Sequence, residues 1–522
     1  MYPLTSYHQS PATVFINIMS ALLRLLKVSA VLLLVGIFGL THLNAQQKLS
    51  YTVDSFSSDV ISNNLQVQIN KIEPEQLYKN YLLQKSDRVP HSFNVNLSYS
   101  PFFLTSPVVG SLSAAWQANF LTGTTLSLGF SGQHTKPSAD ENLFVVGTPE
   151  VTLRQSFLRN SFINNQIRKE LYPALYNARA SEENTQHLVA TTLFNALTTY
   201  HQYLVNQELI TLLERDQRDV ASILRFNKRK SRLGALRESD LLSSEILNIE
   251  AGNALINART ANERLKNNLI LFLGKSPKDE YEIVLTDSIP LAKPEIDKTI
   301  ISQAAITNRR DYKALMTQLA SARNSLAVSK FKKLPTLDLE ISTSLLGTGS
   351  SFVDSFGNIN AGSGSNYNVN IGLNFGFRTD GRWYRSVAAG SEREVIKTEL
   401  QLLQLKENIE AEIENILIVL EQNHTIFTKN KRLLDLTQNR YRMIRKDYYE
   451  GIVDFTTNVN VKRELINARS TYLNSKLMYE ISLLEFQYLT GQFHDIYNID
   501  SINNPDIRKE KIKQPTKRKR KN

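Results

Sequence analysis

Two parts of the chain alternate apolar and polar residues, and this period predicts β-strands with one apolar and one polar face. The alternating stretches lie at about 92–158 and about 336–377. Their apolar positions are Phe93, Val95, Leu97, Tyr99, Leu126, Leu128, Phe130, Val151, Leu153, Phe157, Leu337, Leu339, Ile341, Tyr367, Val369, Ile371, Leu373, Phe375 and Phe377. An apolar outer face and a polar inner face are typical of membrane β-barrel strands, although strands of soluble sandwiches show the same period.

We expect these stretches to supply two strands in each half of the chain, and therefore four strands per chain. The segment at about 121–124 could add a hairpin to the first half. Four strands are too few to close a barrel. If the strands cross a membrane, the chain must therefore oligomerise.

The sequence around the strands has helical periodicity over unusually long stretches. In the first half this pattern extends from about 163 to Gly234 and then resumes to Gly274. Average helices have about 11 or 12 residues, whereas a helix of roughly 70 residues would be about 105 Å long. Steps of four and three separate Leu247, Ala251, Ala254, Ala258, Ala261, Leu265, Asn268 and Phe272, and likewise Ile409, Ile413, Ile416 and Leu420. This spacing predicts helices packed as coiled coils and indicates no chemistry.

The two halves of the chain repeat the same pattern. Gly234 and Gly451 each follow a long helical stretch, Gly274 and Gly491 each end the shorter stretch after it, and both pairs are 217 residues apart. Repeats of this size indicate a duplicated supersecondary unit. We therefore predict a first repeat at 46–274, an equatorial linker at 275–300 and a second repeat at 301–491.

Residues 1–45 are predicted to be a signal peptide. Arg24 and Lys27 precede an apolar run at 28–40, and Ala45 stands at a suitable cleavage position. The run is short for a membrane span, and translation could begin at Met1 or Met19. Because the sequence has no cysteine, a lipid-anchored N-terminal cysteine and a disulfide framework are both excluded.

The formal net charge of +11 is concentrated near the C-terminus. From 508 to 521 the chain has nine lysine or arginine residues and one glutamate. Such a segment could bind nucleic acid, but the export signal argues against a nucleic-acid partner. We assign 492–522 to a basic C-terminal tail and expect its charged stretch at 508–521 to be solvated and disordered, with contact to anionic polymers of the cell envelope as the alternative.

The sequence contains no motif of a catalytic or cofactor site. HExxH, the P-loop lysine motif and GxSxG are absent, and the eight histidines lack metal-ligand spacing. We therefore expect no enzyme activity, no cofactor and no metal. A second hypothesis is an exported structural or adhesive coiled-coil protein of the cell envelope. Such a protein would need neither the strand alternation nor the pair Trp383 and Tyr384, which suits a membrane interface.

Four short segments resemble motifs of the TolC family of outer-membrane efflux channels. NRRDYKAL at 308–315 is similar to the opening of the family's second repeat, and KKLPTLDLEIS at 332–342 to its helix-to-strand junction. LRQSFLRN at 153–160 is similar to its strand-to-helix exit, and the turns at Gly234 and Gly451 resemble its helix tips. The order and spacing of the motifs extend the resemblance over essentially the whole mature chain.

The resemblance implies an α+β membrane protein in which a long coiled-coil α-helical barrel joins a trimeric 12-stranded transmembrane β-barrel. It implies a passive conduit of a tripartite efflux or type I secretion system, set in outer-membrane lipid of a Gram-negative cell and extending into the periplasm. The implied partners are two further copies of the chain, a periplasmic adaptor (membrane fusion) protein and an inner-membrane transporter that supplies the energy.

The resemblance also implies that the two helix tips bind the adaptor. The matching residues are Leu233, Gly234, Ala235, Glu450, Gly451 and Ile452. Glycine at a helix-to-helix turn is equally well explained by its tolerance of left-handed backbone angles. The docking role and the purely conformational role therefore both stay open.

The family closes its periplasmic entrance with charged and aromatic residues, and this chain retains only some of them. Tyr448 and Asp240 match the family's tyrosine and aspartate. Val453 stands in place of its arginine, and Thr457 and Asn460 stand in place of its inner ring of aspartates. The charged gate is therefore largely missing.

Other residues beside the entrance could replace the missing charges. Asp454 could supply a negative charge, although its position before a helix favours an exposed N-cap. Apolar packing around Ile452, Val453 and Phe455 could close the entrance instead.

Overall fold

The computed structural model describes residues 47–100, 108–138, 141–159, 166–279, 281–286, 298–359, 367–377, 379–499 and 505–510. The predicted signal peptide and the last part of the basic tail, 511–522, lie outside the described residues. The elements of the first half are β1 (Gln47–Tyr51), α1 (Val53–Asn63), α2 (Leu65–Arg88), β2 (His91–Ser100), β3 (Val108–Asn119), β4 (Thr124–Ser138), β5 (Glu141–Ser156), α3 (Gln166–Arg232) and α4 (Glu238–Phe272). Those that follow are β6 (Tyr281–Leu285), α5 (Lys298–Asn308), α6 (Arg310–Phe331), β7 (Thr336–Gly349), α7 (Phe352–Gly357), β8 (Tyr367–Gly376), α8 (Gly381–Glu450), α9 (Phe455–Leu489), α10 (Phe493–Ile496) and α11 (Pro505–Lys509).

The predicted long helices are confirmed. Helix α3 has 67 residues and α8 has 70, which corresponds to lengths of about 100 and 105 Å. Each packs against the 35-residue helix that follows it, and α9 also packs against α3, so the two helical hairpins lie side by side. Among the described helices, none is both long and apolar enough to span a membrane.

The two halves have the same joint at the end of the shorter hairpin helix. Gly274 follows α4 with φ 69°, and an added Cβ there would lie 2.2 Å from the carbonyl oxygen of Asn63. Gly491 follows α9 with φ 75°, and an added Cβ would lie 3.0 Å from Cβ of Asn308. Glycine allows both the positive φ and the close approach. The repeated contact agrees with the predicted duplication, while the boundaries of the repeats stay a prediction.

The main sheet has the order β2-β3-β4-β5-β7-β8 and is antiparallel throughout. Because β5 pairs with β7, both halves contribute to one sheet. Cross-strand pairing keeps apolar residues on one face. Phe93 lies opposite Trp116, Trp116 lies opposite Leu128, and Leu153 lies opposite Ile341. Strands β1 and β6 form a separate parallel pair.

The prediction of four strands per chain is wrong, because the first half supplies four strands to this sheet and the second half two. The hairpin expected at about 121–124 is present between β3 and β4. There Gly123 has φ 77°, and the Phe120 N–H donates to the Thr124 carbonyl at 2.9 Å. Strand β3 is hard to recognise because its apolar face carries the small residues Ala114 and Ala118.

The segment after α9 is folded against the helices. Phe493, Ile499 and Ile507 are fully buried, and Lys85 Nζ contacts the Glu510 carboxylate at 2.7 Å. Ile507 packs in a cluster that includes Tyr78 and several residues of α3. The apolar residues of this segment therefore enter the protein core, and the basic stretch that is expected to be disordered lies mostly outside the described residues.

Candidate functional site at the helix tips

The turn between α3 and α4 is a helix end closed by glycine. The Gly234 N–H donates to the Ser231 carbonyl and the Ala235 N–H to the Lys230 carbonyl, each at 2.9 Å. Gly234 has φ 69°, and no atom lies within 4 Å of where a Cβ would stand. The glycine is therefore required by the backbone conformation and not by lack of space. The neighbouring Leu233 is 81% exposed.

The turn between α8 and α9 is built in the same way. Gly451 has φ 80° and equally open space around the position that a Cβ would take, and the Ile452 N–H donates to the Asp447 carbonyl at 2.9 Å. Ile452 is 71% exposed. Each tip therefore presents a large aliphatic side chain to solvent directly beside a left-handed glycine.

Asp454 caps the start of α9, as its position in the sequence favours. Its carboxylate accepts a hydrogen bond from the Thr457 backbone N–H at 3.2 Å. Hydrogen bonds from the Thr457 side chain and backbone hold the pKa of Asp454 below its usual value. The Asp454 carboxylate and the Thr457 N–H therefore bond to each other and cap the first turn of α9.

A buried polar chain connects the two tips across three helices. The Tyr448 hydroxyl of α8 donates to Oδ1 of Asn227 in α3, and Asn227 Nδ2 donates to Ser244 Oγ in α4 at 2.7 Å. Ser244 Oγ donates in turn to the backbone carbonyl of Asp240 at 2.8 Å. Tyr448, Asn227 and Ser244 are all buried. The hydrogen bonds therefore fix the relative positions of α3, α4 and α8 close to the turns.

The electrostatic state of Tyr448 follows from its surroundings. Its ring packs against Phe226 and Phe455, with ring centroids 5.9 and 6.1 Å away. Burial raises the pKa of Tyr448 to about 12. The hydroxyl therefore stays protonated, and able to donate to Asn227, throughout the physiological range of pH.

The other residues predicted to lie at the entrance have different surroundings in the structure. Val453 and Thr457 are half-buried, and Asn460 is exposed. Phe455 is buried in the core of its own chain, against Tyr448. Closure of the entrance by apolar packing around Ile452, Val453 and Phe455 stays a prediction. Tyr448 donates to Asn227, and Asp240 joins this chain through its backbone carbonyl and not through its carboxylate.

A buried charge cluster lies farther along the same helices, and the sequence analysis missed it. Lys462 of α9 is fully buried, and its Nζ contacts Asp216 at 2.7 Å and Asp219 at 3.1 Å, both in α3. Arg469 of α9 also binds Asp216. Arg445 of α8 also lies 3.9 Å from Asp219, so three cations surround two anions between the helical hairpins. The sequence does contain a signal for this cluster. Lys462 and Arg469 are seven residues apart and Asp216 and Asp219 three apart, so each pair lies on one face of its helix.

In the described ranges, no group of three or more metal-ligating side chains is placed to hold an ion. No protein-family model matches the sequence, and no curated protein matches it significantly. Several solved structures do match the fold over most of its length.

The matching structures include outer membrane channels. The CmeC outer membrane channel of Campylobacter jejuni has 14% sequence identity and a TM-score of 0.66, with 87% of this chain and 90% of that chain covered. CusC, studied for conformational changes accompanying folding and transmembrane channel formation, has 14% identity, a TM-score of 0.65 and coverage of 84% and 92%. The open state of the Neisseria gonorrhoeae MtrE outer membrane channel has 13% identity, a TM-score of 0.61 and coverage of 84% and 88%. The predicted fold is confirmed: the chain has the fold of the TolC-like outer membrane channels, with long helices and antiparallel strands.

Proposed function

We propose that this chain forms a passive trimeric channel that crosses the outer membrane of a Gram-negative cell and extends through the periplasm. The observation that carries the proposal is the combination, in one chain, of a sheet with a continuous apolar face and helices of about 100 Å. The fold shared with CmeC and CusC supports the same conclusion.

The apolar face of the sheet is suited to lipid. Leu97 is 79% exposed and Ile371 is 73% exposed, on the first and last strands of the sheet. The alternate positions are polar, with Asn94, Asn96 and Asn370 among them. A continuous exposed apolar patch is unfavourable in water, whereas apolar-out and polar-in is the arrangement of a membrane barrel around an aqueous lumen.

The helix tips are proposed to dock a periplasmic adaptor. Leu233 and Ile452 provide exposed apolar anchors, and the buried chain from Tyr448 to Asp240 holds the two turns in fixed positions. An inner-membrane transporter would supply the energy, since the sequence carries no P-loop motif. The channel itself would serve as a conduit in efflux or type I secretion.

Purification and conductance test the channel. The mature chain should leave the membrane fraction only with detergent, have the mass of three copies by light scattering, and form conducting pores in a planar bilayer. A chain that is soluble without detergent and does not conduct would instead support the structural or adhesive coiled-coil hypothesis.

Site-specific photocrosslinking tests the docking site. A photoreactive residue in place of Leu233 or Ile452 should capture the adaptor in intact cells. The matched control is Ile256, which is 62% exposed on α4 but lies roughly 30 Å from the turn. Equal capture of the adaptor from Ile256 and from the tips would contradict a docking role for the turns.

A further inference from the structure

We propose that the short helix α7 lies against the lipid-facing side of the sheet and inserts its exposed apolar side chains among the acyl chains of the outer leaflet. The proposal rests on the proposed membrane channel, because it takes the apolar face of the sheet to be in contact with lipid. Neither the strands nor the helix tips account for the residues of α7, which lie between β7 and β8.

The contacts of α7 with β7 show which face of the sheet the helix covers. Strand β7 has no extra residue at its bulge with β5, so its odd-numbered residues share the apolar face of Ile341. A Cβ added to Gly347 would lie 1.9 Å from the carbonyl oxygen of Ser355, and one added to Gly349 would lie 2.8 Å from the Ser355 nitrogen. Helix α7 therefore lies directly over the apolar face.

The neighbouring strands place α7 on the same face. The Phe352 ring packs against Phe130 of β4, with ring centroids 6.2 Å apart, and Phe130 shares the apolar face of Leu128. Val146 of β5 lies opposite Gly347 in the pairing with β7, and it is fully buried although this face is otherwise largely exposed. Strands β4, β5 and β7 therefore support the helix from outside the polar, lumen-facing side of the sheet.

The helix is held on the strands by hydrogen bonds as well as by close approach. Ser355 is fully buried, and its hydroxyl donates to the Phe144 carbonyl of β5 at 2.9 Å. Asn358 Nδ2 donates to the Thr348 carbonyl of β7 at 3.0 Å. Glycine at 347 and 349 leaves room for the helix backbone, because it has no Cβ. The position of α7 is therefore fixed by both β5 and β7.

The outward side of α7 is apolar. Val353 is 77% exposed, and Phe352 and Phe356 are also exposed. Such a patch is unfavourable in water, whereas the apolar face of a helix that lies along a membrane enters the boundary between headgroups and acyl chains. Because the patch is continuous with the apolar face of the sheet, the same layer of acyl chains covers both.

The height of α7 along the strands agrees with this boundary. Gly347 is 11 residues beyond Thr336, the first residue of β7. At about 3.3 Å per residue and a tilt of about 40°, this distance corresponds to about 28 Å along the membrane normal. The apolar band of a membrane barrel is about 25 Å tall and is flanked by aromatic residues. Phe352 and Phe356 therefore lie where the outer aromatic girdle is expected.

Site-directed spin labelling tests the insertion, and the absence of native cysteine gives a clean background. Val353→Cys is labelled with a nitroxide in the mature chain, reconstituted in vesicles of phosphatidylethanolamine and phosphatidylglycerol. The accessibility of the label is measured to oxygen, which concentrates among acyl chains, and to a water-soluble nickel complex. Ile371→Cys on the apolar face and Asn370→Cys on the polar face of β8 are the reference sites.

We expect the oxygen-to-nickel accessibility ratio of Val353→Cys to match that of Ile371→Cys and to exceed that of Asn370→Cys several-fold. Adding Gly347→Ala should lower the ratio at 353, because the new Cβ would displace the helix. Gly372→Ala is the matched control and should leave the ratio unchanged, since no atom lies within 4 Å of where its Cβ would stand. The Val353→Cys measurement decides the question even if the Gly347→Ala chain does not fold.

Three outcomes would contradict the proposal in different ways. A ratio at Val353→Cys equal to that of Asn370→Cys, with Ile371→Cys still in lipid, would overturn the insertion of α7 and leave the channel intact. Protection of the Val353→Cys label from both reagents would show that protein, such as a second copy, covers the helix. Nickel accessibility at Ile371→Cys as high as at Asn370→Cys would overturn the membrane channel itself.

Discussion

Replacing Lys462 by methionine tests whether the buried charge cluster holds α9 against α3. Methionine has a similar length and removes the positive charge that lies 2.7 Å from Asp216 and 3.1 Å from Asp219. Removing one partner of a buried ion pair lowers the free energy of unfolding by about 3–5 kcal/mol. Because Arg469 still contacts Asp216, and the Asp219 side chain is 36% exposed, we expect the lower end of this range.

Hydrogen exchange followed by mass spectrometry, on the protein in detergent, measures this cost locally. A loss of about 3 kcal/mol corresponds to a roughly 100-fold rise in the exchange of peptides from α3 and α9 around the cluster. Peptides from the sheet should exchange as in the wild type. The experiment therefore reads the opening of one helix pair and not the unfolding of the whole chain.

Lys446→Met is the matched control. Lys446 lies on α8 near the turn at Gly451. It pairs with Glu450 at 3.8 Å, and its side chain is 74% exposed. An exposed pair contributes only about 0–1 kcal/mol, so exchange should rise less than roughly fivefold. If Lys462→Met changed exchange no more than this control, the reasoning about the buried cluster would be refuted. Adding Asp216→Asn to Lys462→Met should cost less than the sum of the two single changes, because they share a contact.

Three further predictions concern the tips. Gly451→Val should impair export but leave outer-membrane insertion, measured by fractionation, unchanged. The reason is that a β-branched residue at φ 80° is strained by about 1–3 kcal/mol. Loss of insertion would instead show that this glycine is needed for folding. Tyr448→Phe should lower the free energy of unfolding by about 1–3 kcal/mol, because the buried Oδ1 of Asn227 loses its donor. Tyr449→Phe should lower it only slightly. Since the pKa of Tyr448 is raised from 10.0 to about 12, the thermal-melt difference between wild type and Tyr448→Phe should be full below pH 10 and disappear as the pH rises through 12. Periplasmic divalent or trivalent cations should block the single-channel conductance only weakly, and strong block that survives Asp240→Asn/Asp454→Asn would locate the acidic site elsewhere.

Periodicity made the long helices and most strands predictable from the sequence. Apolar residues at alternating steps of four and three mark a helix in the sequence whatever that helix packs against. Apolar alternation marks β8 in the same way. Strand β3 escaped because Ala114 and Ala118 contribute little apolar contrast to its outer face. The count of strands therefore depended on pairing with β2 and β4, which is information from outside the segment.

The candidate site was predictable only in part, for a similar reason. The two tip glycines and Tyr448 lie in recognisable motifs, but the partner of Tyr448 depends on how far three helices slide past one another. Asn227 and Ser244 have no local pattern that marks them as buried. Lys462 resembles a residue of a solvated helix face in the sequence, and only the packing of α9 on α3 excludes water from it.

The unbroken length of α3 and α8 has a mechanical consequence. Each helix runs from the side of the sheet to a tip without an interruption, and α8 extends for 70 residues. A rod of about 105 Å that tilts by about 5° at its membrane end moves its other end by about 9 Å. If a partner docks at the tips as proposed, a small tilt at the membrane end is therefore enough to move the docking surfaces by several ångströms while the strands hardly move.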